Sequence, residues 1–150
     1  MDVLRRSMVA RIATLSRSGR PSIVPLYFVH HDGRIGLGTP VWTLTARNVA
    51  ADPRVSVLFE VERDPGDRRV LRIGGRARVR GDREAVRAYA LRAARKYVLT
   101  PGGIRNALAH VRQLPLRRRY AAQSAERGPT CVIEVTPGRA EFVDGGTPAS

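Results

Sequence analysis

The sequence has little of several residue types on which small proteins often rely. Its single cysteine, Cys131, excludes an internal disulfide and any metal site built from several cysteines. Aromatic residues make up only 5% of the chain, so the core must consist mainly of Val, Leu, Ile and Ala. No apolar run reaches the roughly 18 residues of a membrane-spanning helix, and no signal-peptide pattern follows the first arginines. We therefore expect a cytoplasmic protein with no membrane partner.

Acidic residues are also scarce, since 13 Asp and Glu stand against 27 Lys and Arg, for a net charge of +14. Lys96 is the only lysine, a skew toward arginine that is typical of GC-rich bacterial genomes and that weakens any functional reading of the charge. A strongly positive protein nevertheless favours anionic partners. Nucleic acid, a phosphorylated cofactor and a cofactor with an acidic tail all fit this charge.

Alternating apolar and polar residues predict a β-rich fold. The alternation is clearest over residues 54–62 and 70–80, and Gly74-Gly75 inside the second run indicates a bulge. Asp32-Gly33 is a hairpin signal, and Pro25 indicates a strand edge, a bulge or a point where a strand ladder opens. The other predicted strands are 9–16, 23–30, 35–38, 130–136 and 139–143, the last two separated by Pro137-Gly138. Six or seven strands joined by short turns favour a small antiparallel barrel.

Two or three helices are expected between these strands. A short helix over about 43–51 precedes the fourth strand, and Asp82 can cap a longer one with an apolar stripe at Val86, Tyr89, Ala90, Ala93 and Tyr97. Further helical patterns cover 104–111 and 116–126. No repeat or linker divides the chain. We expect one domain over residues 1–144 and a disordered tail over 145–150.

Residues 36–56 are the most informative segment, because they form a junction between a glycine-bearing strand and a helix. Free backbone N–H groups at a helix start favour anions. Hydroxyl and guanidinium groups nearby are suitable phosphate donors. Polar side chains of these types occur here at Thr39, Thr43, Thr45, Arg47 and Asn48, together with the only tryptophan, Trp42.

Several stretches together resemble the pyridoxamine 5′-phosphate oxidase-like split-barrel family. The matching stretches, in the family's order, are residues 10–15, 18–21, 24–28, 45–49, 52–55, 74–77 and 137–142. The resemblance implies a mainly β (α+β) fold, a six-stranded antiparallel split barrel that forms a homodimer. It also implies FMN or, especially in the actinobacterial branch, the deazaflavin coenzyme F420, bound at the subunit interface.

The resemblance also implies which residues hold the cofactor. The ring is expected near Val24, Pro25 and Tyr27, and the phosphate near Thr39, Trp42, Thr43, Thr45, Arg47 and Asn48, with Arg139 added by the partner subunit. Thr45 departs from the family, in which flavin-binding members often have a lysine there. Losing that ammonium removes a charge-assisted bond worth about 1.5–3 kcal/mol.

The expected activity is an oxidoreductase that transfers hydride between the bound flavin or F420 and a small organic substrate. The cofactor carries such chemistry, so we expect binding residues and no catalytic side chain. His110 has no neighbours at metal-ligand spacing, and we expect no metal. An alternative is a non-catalytic protein that carries a flavin, F420 or a haem-like ligand. A nucleic-acid-binding barrel ranks last, because the sequence lacks the surface aromatics used for base stacking.

Overall fold

Six antiparallel strands close into a barrel in the order β1-β2-β3-β6-β5-β4. The computed structural model describes residues 2–61, 66–99 and 128–144. Its elements are α1 (Asp2–Arg6), β1 (Val9–Leu15), β2 (Pro21–His31), β3 (Arg34–Pro40), α2 (Leu44–Ala51), β4 (Arg54–Glu60), β5 (Arg69–Arg80), α3 (Arg83–Tyr97) and β6 (Thr130–Asp144). The predicted six-stranded barrel is confirmed.

The alternation of the sequence fixes which side of each strand faces the core. On β4, Val55, Val57 and Phe59 are buried and the residues between them are half-buried. Phe59 meets Phe28 of β2 edge to face, with ring centroids 4.8 Å apart. The barrel is therefore filled mainly by branched aliphatic side chains around one aromatic pair, as the composition predicted.

The tight connection between β2 and β3 forms where it was expected. Asp32 has a φ of 49° and Gly33 a φ of 71°, so both central residues are in the left-handed region. Two-residue hairpin loops with this geometry match the right-handed twist of the strands that they join, and Asp-Gly is a preferred pair for them.

The prediction of two final strands is wrong, because β6 runs unbroken from Thr130 to Asp144. It pairs with β5 along its length, and the register shifts between Gly74 and Gly75, which face Arg139 and Pro137. A side chain at Gly75 would collide with the Thr136 carbonyl oxygen. The Pro137-Gly138 pair is therefore absorbed as a bulge opposite two glycines instead of ending the strand.

Helices α1 and α3 differ from the prediction. Helix α1 was not predicted, since five residues are too few for a periodic signal; it buries Val3 and Leu4. Asp82 caps α3 as expected, accepting a bond from the Ala85 N–H at 3.0 Å. Ala90 is exposed, so the apolar stripe of α3 is narrower than predicted. The helical patterns at 104–111 and 116–126 and the tail at 145–150 lie outside the described residues.

Strand β2 changes neighbours along its length. It pairs with β1 from Pro21 to Tyr27 and with β3 from Phe28 to His31. Pro25, which has no N–H to donate, lies where β2 has β1 as its only partner, so among the three predicted alternatives the structure supports an edge position. At each change of neighbour the β2 backbone loses a partner for its polar groups, and buried backbone groups require one.

Two tyrosines of α3 supply those partners. The Tyr97 hydroxyl lies where β1 leaves β2: it accepts a bond from the Phe28 N–H at 3.1 Å and lies 2.7 Å from the Phe28 oxygen and 2.9 Å from the Met8 oxygen. The Tyr89 hydroxyl lies where β3 leaves β2 and donates to the Tyr27 oxygen at 3.2 Å. Helix α3 thus completes both ladders of β2.

Gly38 makes room for the second of these contacts. A Cβ at Gly38 would lie 2.5–2.8 Å from the phenol of Tyr89, too close for any side chain. Burial raises the pKa of this phenol. Tyr89 consequently stays a protonated donor at neutral pH, wedged between the diverging ends of β2 and β3.

Cys131 is fully buried at the start of β6, where its Sγ lies 3.2 Å from the Thr39 oxygen. Burial raises the pKa of the thiol.

As for membrane association, none of the helices within the described residues has the length and apolar character that a bilayer crossing requires.

The contact of Tyr97 with β2 predicts a specific loss of stability. Tyr97→Phe leaves the Phe28 N–H and a strand carbonyl without a partner, so the free energy of unfolding should fall by about 1–3 kcal/mol. Urea denaturation measures the loss, and hydrogen exchange should quicken at the Phe28 amide. The matched control is Tyr27→Phe, whose hydroxyl makes no hydrogen bond within the described residues; it should change stability by less than about 0.5 kcal/mol. Equal effects of the two variants would contradict this role of Tyr97.

Candidate functional site

The start of α2 is built by the turn that leaves β3. The Val41 N–H donates to the Pro129 oxygen at 3.0 Å, which ties this turn to the residues before β6. Thr43 then takes an extended conformation and caps the helix, accepting a bond from the Ala46 N–H at 3.3 Å. Ser, Thr, Asn and Asp are the usual residues at this position, because their side-chain oxygens replace a missing intrahelical acceptor.

The hydroxyl of Thr43 is fully engaged within the chain. Its proton goes to the Pro40 oxygen at 2.9 Å, and its oxygen also lies 3.2 Å from the hydroxyl of Thr39. Because a hydroxyl has one proton, Thr39 is the donor in that contact. These bonds shape the turn, so in the described chain Thr43 contributes to the site by fixing the helix start.

Asn48 and Thr45 also lie under the surface. The Asn48 Nδ2 donates to the Thr14 hydroxyl of β1 at 3.0 Å, and both side chains are buried. This bond fastens the middle of α2 to the barrel wall. Thr45 is 3% exposed, so its side chain is covered by its own chain.

The groups left available to a ligand at this corner are few. The backbone N–H groups of Leu44 and Thr45 have no hydrogen-bond acceptor within the described residues. Arg47 is exposed and forms no ion pair there. Trp42 is 44% exposed. The N–H of Leu44, which is 51% exposed, one guanidinium and one indole therefore remain accessible around the helix start.

The residues expected near the ring lie on β2 and divide between its two faces. Pro25 and Tyr27 point outward, and Tyr27 is 58% exposed. Val24 points the other way and packs against the core, so only its backbone is accessible from the outer side. Ile23, also 58% exposed, extends the outward face into an apolar strip with Pro25 and Tyr27.

These two groups of residues lie beyond the last pair of the β2–β3 ladder, one on β2 and the other on β3 and the turn after it, and the gap between the two strands there is called the opening. The β2–β3 ladder stops at Phe28 and Leu37, and from Tyr27 and Gly38 onward the two strands separate. Pro25 and Tyr27 follow one side of the opening, while Thr39 and the α2 turn follow the other. Tyr89, which the sequence indicated only as part of a helical stripe, closes the narrow end of this opening.

Arg139 does not join this corner in the described chain. It lies on β6 opposite Gly74, with its side chain 84% exposed, and pairs with Glu141 of its own strand at 3.3 Å. No hydrogen bond or ion pair links it to α2 among the described residues. Its expected contribution from the partner subunit stays a prediction.

A cavity of about 300 Å³ that the sequence did not indicate is lined by residues that include Thr14, Leu15, Pro21 and Arg54, and by none of the predicted cofactor residues. No three His, Cys, Asp or Glu side chains lie where they can share a metal ion in the part of the chain that the structure describes.

Comparison with known proteins decides the family. Residues 1–144 match the family model described as pyridoxamine 5′-phosphate oxidase. The chain belongs to the pyridoxamine 5′-phosphate oxidase family. Membership supports a general flavin-related function and leaves the cofactor and substrate open. No curated protein matches the chain.

Solved structures share the family's fold. The conserved hypothetical protein Rv2991 of Mycobacterium tuberculosis is 21% identical, with a TM-score of 0.68 over 95% of this chain and 81% of that one. An F420 reductase is 19% identical, with a TM-score of 0.64 over 93% and 94%. A putative pyridoxamine 5′-phosphate oxidase of Listeria innocua is 15% identical, with a TM-score of 0.58 over 95% and 93%. At these identities the likeness concerns the split-barrel fold.

The bond between Asn48 and Thr14 predicts a structural role for both residues. Asn48→Ala and Thr14→Val should each lower the free energy of unfolding by about 1–3 kcal/mol, because each strands a buried polar partner. The double variant should cost less than the sum of the two, since one bond is lost in every case. Urea denaturation of the four proteins measures this coupling. An Asn48→Ala variant of unchanged stability would instead indicate that Asn48 serves only a ligand.

The end of α2 predicts a pH effect. Side-chain hydrogen bonds from Arg54, with its Nε 3.0 Å from Oδ1 and its Nη2 2.7 Å from Oδ2, lower the pKa of Asp52 from 3.8 to about 2. A depressed pKa stabilises the fold above the unfolded value of 3.8, and this contribution is lost as the pH falls through about 2.

In Arg54→Gln the pKa of Asp52 should therefore return toward 3.8, and its contribution to acid unfolding should shrink. Carbon NMR of the carboxyl groups measures both. Asp67 is the internal control, because Arg69 lowers its pKa to about 2 by a separate pair. A shift at Asp67 in the Arg54 variant would point to a general loss of structure.

Proposed function

We propose that this protein is a flavin- or deazaflavin-dependent oxidoreductase that acts as a homodimer on a small organic substrate. The observation that carries the proposal is the start of α2, which follows β3 beyond its last pair with β2 and where the Leu44 N–H and the Arg47 guanidinium have no partner among the described residues. In a chain of the pyridoxamine 5′-phosphate oxidase family, this corner is suited to the phosphate of FMN or F420.

The chemistry of the donors fits a phosphate. Backbone N–H groups at a helix start point along the axis and carry partial positive charge. A guanidinium can place two N–H groups on two phosphate oxygens. The buried bonds of Thr43 and Asn48 hold these donors in place before a ligand arrives, which lowers the entropy cost of binding.

The ring would lie over the outward face of β2. Pro25 and Tyr27 offer an apolar and aromatic surface for a planar ligand. This strip is exposed in one protomer, and large apolar surfaces of this kind normally become covered. A second copy of the chain would cover it, and the partner subunit's Arg139, exposed on its own strand, would supply a further positive charge to the cofactor.

The bound flavin or deazaflavin would supply hydride transfer. The protein would bind the phosphate through α2, orient the ring against β2 and exclude water through the dimer contact. We expect the residues at the opening to bind and orient the cofactor and not to act as an acid or base. The fold shared with an F420 reductase and the net charge of +14 support F420, which has an acidic tail, over FMN.

A non-catalytic carrier of a flavin, F420 or haem-like ligand is the second candidate. One observation favours it: position 45 holds a buried threonine, so the ammonium that many flavin-binding members present there is missing. Turnover separates the two candidates. A carrier binds the cofactor without oxidising the reduced form in the presence of quinone-type acceptors.

Arg47→Ala tests the proposal directly. Loss of a charge-assisted bond should weaken the binding of FMN or F420 by about tenfold to a hundredfold, measured by fluorescence titration of each coenzyme. The matched control is Arg87→Ala, which removes one exposed arginine from α3 and should leave the affinity within about twofold. Sedimentation of the same samples reports whether the protein is a dimer.

Three results would contradict the proposal. Neither coenzyme binds the unaltered protein, or Arg47→Ala and Arg87→Ala weaken binding equally, or the protein sediments as a monomer that still binds and turns over the coenzyme. The first result would contradict the proposed function, the second would contradict the α2 site, and the third would contradict the role of the partner subunit.

A further inference from the structure

A cleft of about 440 Å³ lies between α3 and the outer face of the sheet formed by β2, β3 and β6. We name it the α3 cleft and define it by six of its lining residues, which are Gly36, Glu84, Ala88, Arg92, Val132 and Glu134. No residue of α2 and none of the predicted cofactor residues lines it. A volume of this size is in the range of small-molecule sites.

The charges that line the α3 cleft balance in number. They are three arginines and three acids, namely Arg34, Arg80, Arg92, Asp32, Glu84 and Glu134. The chain as a whole has a net charge of +14, so this balance is a local property of the cleft. A surface with charges of both signs is complementary to a ligand that itself carries both signs.

Four of these charged residues are already paired within the chain. Glu134 accepts bonds from Arg34 at 2.9 Å on Oε1 and from Arg80 at 3.4 Å on Oε2, so both of its oxygens are engaged. Asp32 pairs with His31, another lining residue, at 2.9 Å. These groups have a partner before any ligand arrives.

Glu84 and Arg92 are the two charged lining residues whose side chains make no hydrogen bond or ion pair among the described residues. Arg92 is half-buried, and a guanidinium withdrawn from water without an acceptor costs free energy. Glu84, Ala88 and Arg92 are spaced by four positions, so they follow one row along α3. At a rise of about 1.5 Å per residue, the Cα atoms of the two charged residues lie about 12 Å apart.

Small residues keep the space between these two charges open. Ala88, midway between them, extends only a methyl group from the helix. On the sheet side Gly36 has no side chain, and a Cβ there would lie 3.3 Å from Val29 Cγ2 and 3.4 Å from Val132 Cγ1. Both valines are buried and line the cleft, which gives it an apolar floor.

We propose that the α3 cleft binds a short zwitterion, a peptide of two or three small residues, with its ammonium group at Glu84 and its carboxylate at Arg92. Two or three extended residues span about 7–10 Å, which the two side chains can bracket. A guanidinium can bind both oxygens of a carboxylate, and the unpaired Arg92 would gain the acceptor that it lacks. The apolar floor suits small side chains. The proposal is independent of the coenzyme and of the function proposed above.

NMR titration of the unaltered protein with trialanine tests this proposal. Trialanine should shift the amide resonances of Gly36 and Ala88, and raised salt should weaken its binding. N-acetyl-trialanine and trialanine amide each lack one of the two charges. Each should bind at least about tenfold more weakly, since one charge-assisted contact is lost.

Two variants with matched controls test the residues of the cleft. Arg92→Gln should weaken trialanine binding by about tenfold or more, whereas Arg87→Gln, an exposed arginine of the same helix outside the cleft, should change it by less than about twofold. Ala88→Leu should abolish binding by filling the space, and Ala90→Leu, on the exposed side of α3, should not. Ala and Leu both favour helices, so both leucine variants should keep the helix.

Glu84→Gln separates recognition of the ammonium group from a general effect of charge. It should weaken the binding of trialanine and leave that of N-acetyl-trialanine, which has no ammonium group, unchanged. Arg47→Ala should leave trialanine binding within about twofold, whether or not a coenzyme binds at α2. These two comparisons keep the outcome distinct from that of the coenzyme titrations.

Several results would overturn the proposal. Trialanine causes no shifts at millimolar concentration, or Arg92→Gln and Arg87→Gln weaken its binding equally, which shows an effect of net charge alone. N-acetyl-trialanine that binds as tightly as trialanine would make the cleft a simple carboxylate site. Loss of trialanine binding in Arg47→Ala would place the peptide at α2.

Discussion

The barrel depends on how strand β2 pairs with two neighbouring strands in turn. Strand β2 pairs with β1 over its first half and with β3 over its second, so at each change its backbone needs another partner. Tyr97 and Tyr89 of α3 provide these partners at the two points. An exposed helix of this kind, with no fully buried residue, would otherwise contribute little to the core. The hydroxyls of Tyr89 and Tyr97 link α3 to the sheet by hydrogen bonds.

The same separation of β2 from β3 gives the molecule its candidate site. A strand pair that diverges leaves a surface with backbone on both sides, and α2 begins at its far edge. The polar residues there divide into two kinds. Thr43 and Asn48 use their hydrogen-bonding groups within the chain, whereas Arg47 and the Leu44 N–H have no partner among the described residues. The proposed anion site is thus held in shape by bonds that leave these two groups unused.

The sequence predicted the structural features that depend on residues a few positions apart. The six strands, the Asp32-Gly33 turn and the Asp82 cap follow from patterns within a few positions, and all are confirmed. The continuity of β6 did not follow, because only the glycines of β5 show that Pro137-Gly138 is tolerated as a bulge. The buried bond of Asn48 joins residues 34 positions apart, and no local pattern indicates such a partner. For that reason the sequence could not show which of the predicted site residues are used in bonds within the chain and which are left for a ligand.

Cys131 has a practical consequence. It is the only sulfhydryl of the chain, it is fully buried beside Thr39, and its environment disfavours the thiolate. Alkylating reagents attack thiolates, so the folded barrel is protected from them. Modification of this one atom requires β6 to part from β3, at the strand end from which α2 departs. The rate of labelling would thus report how often β6 and β3 separate at this strand end, and a molecule bound there would slow the reaction.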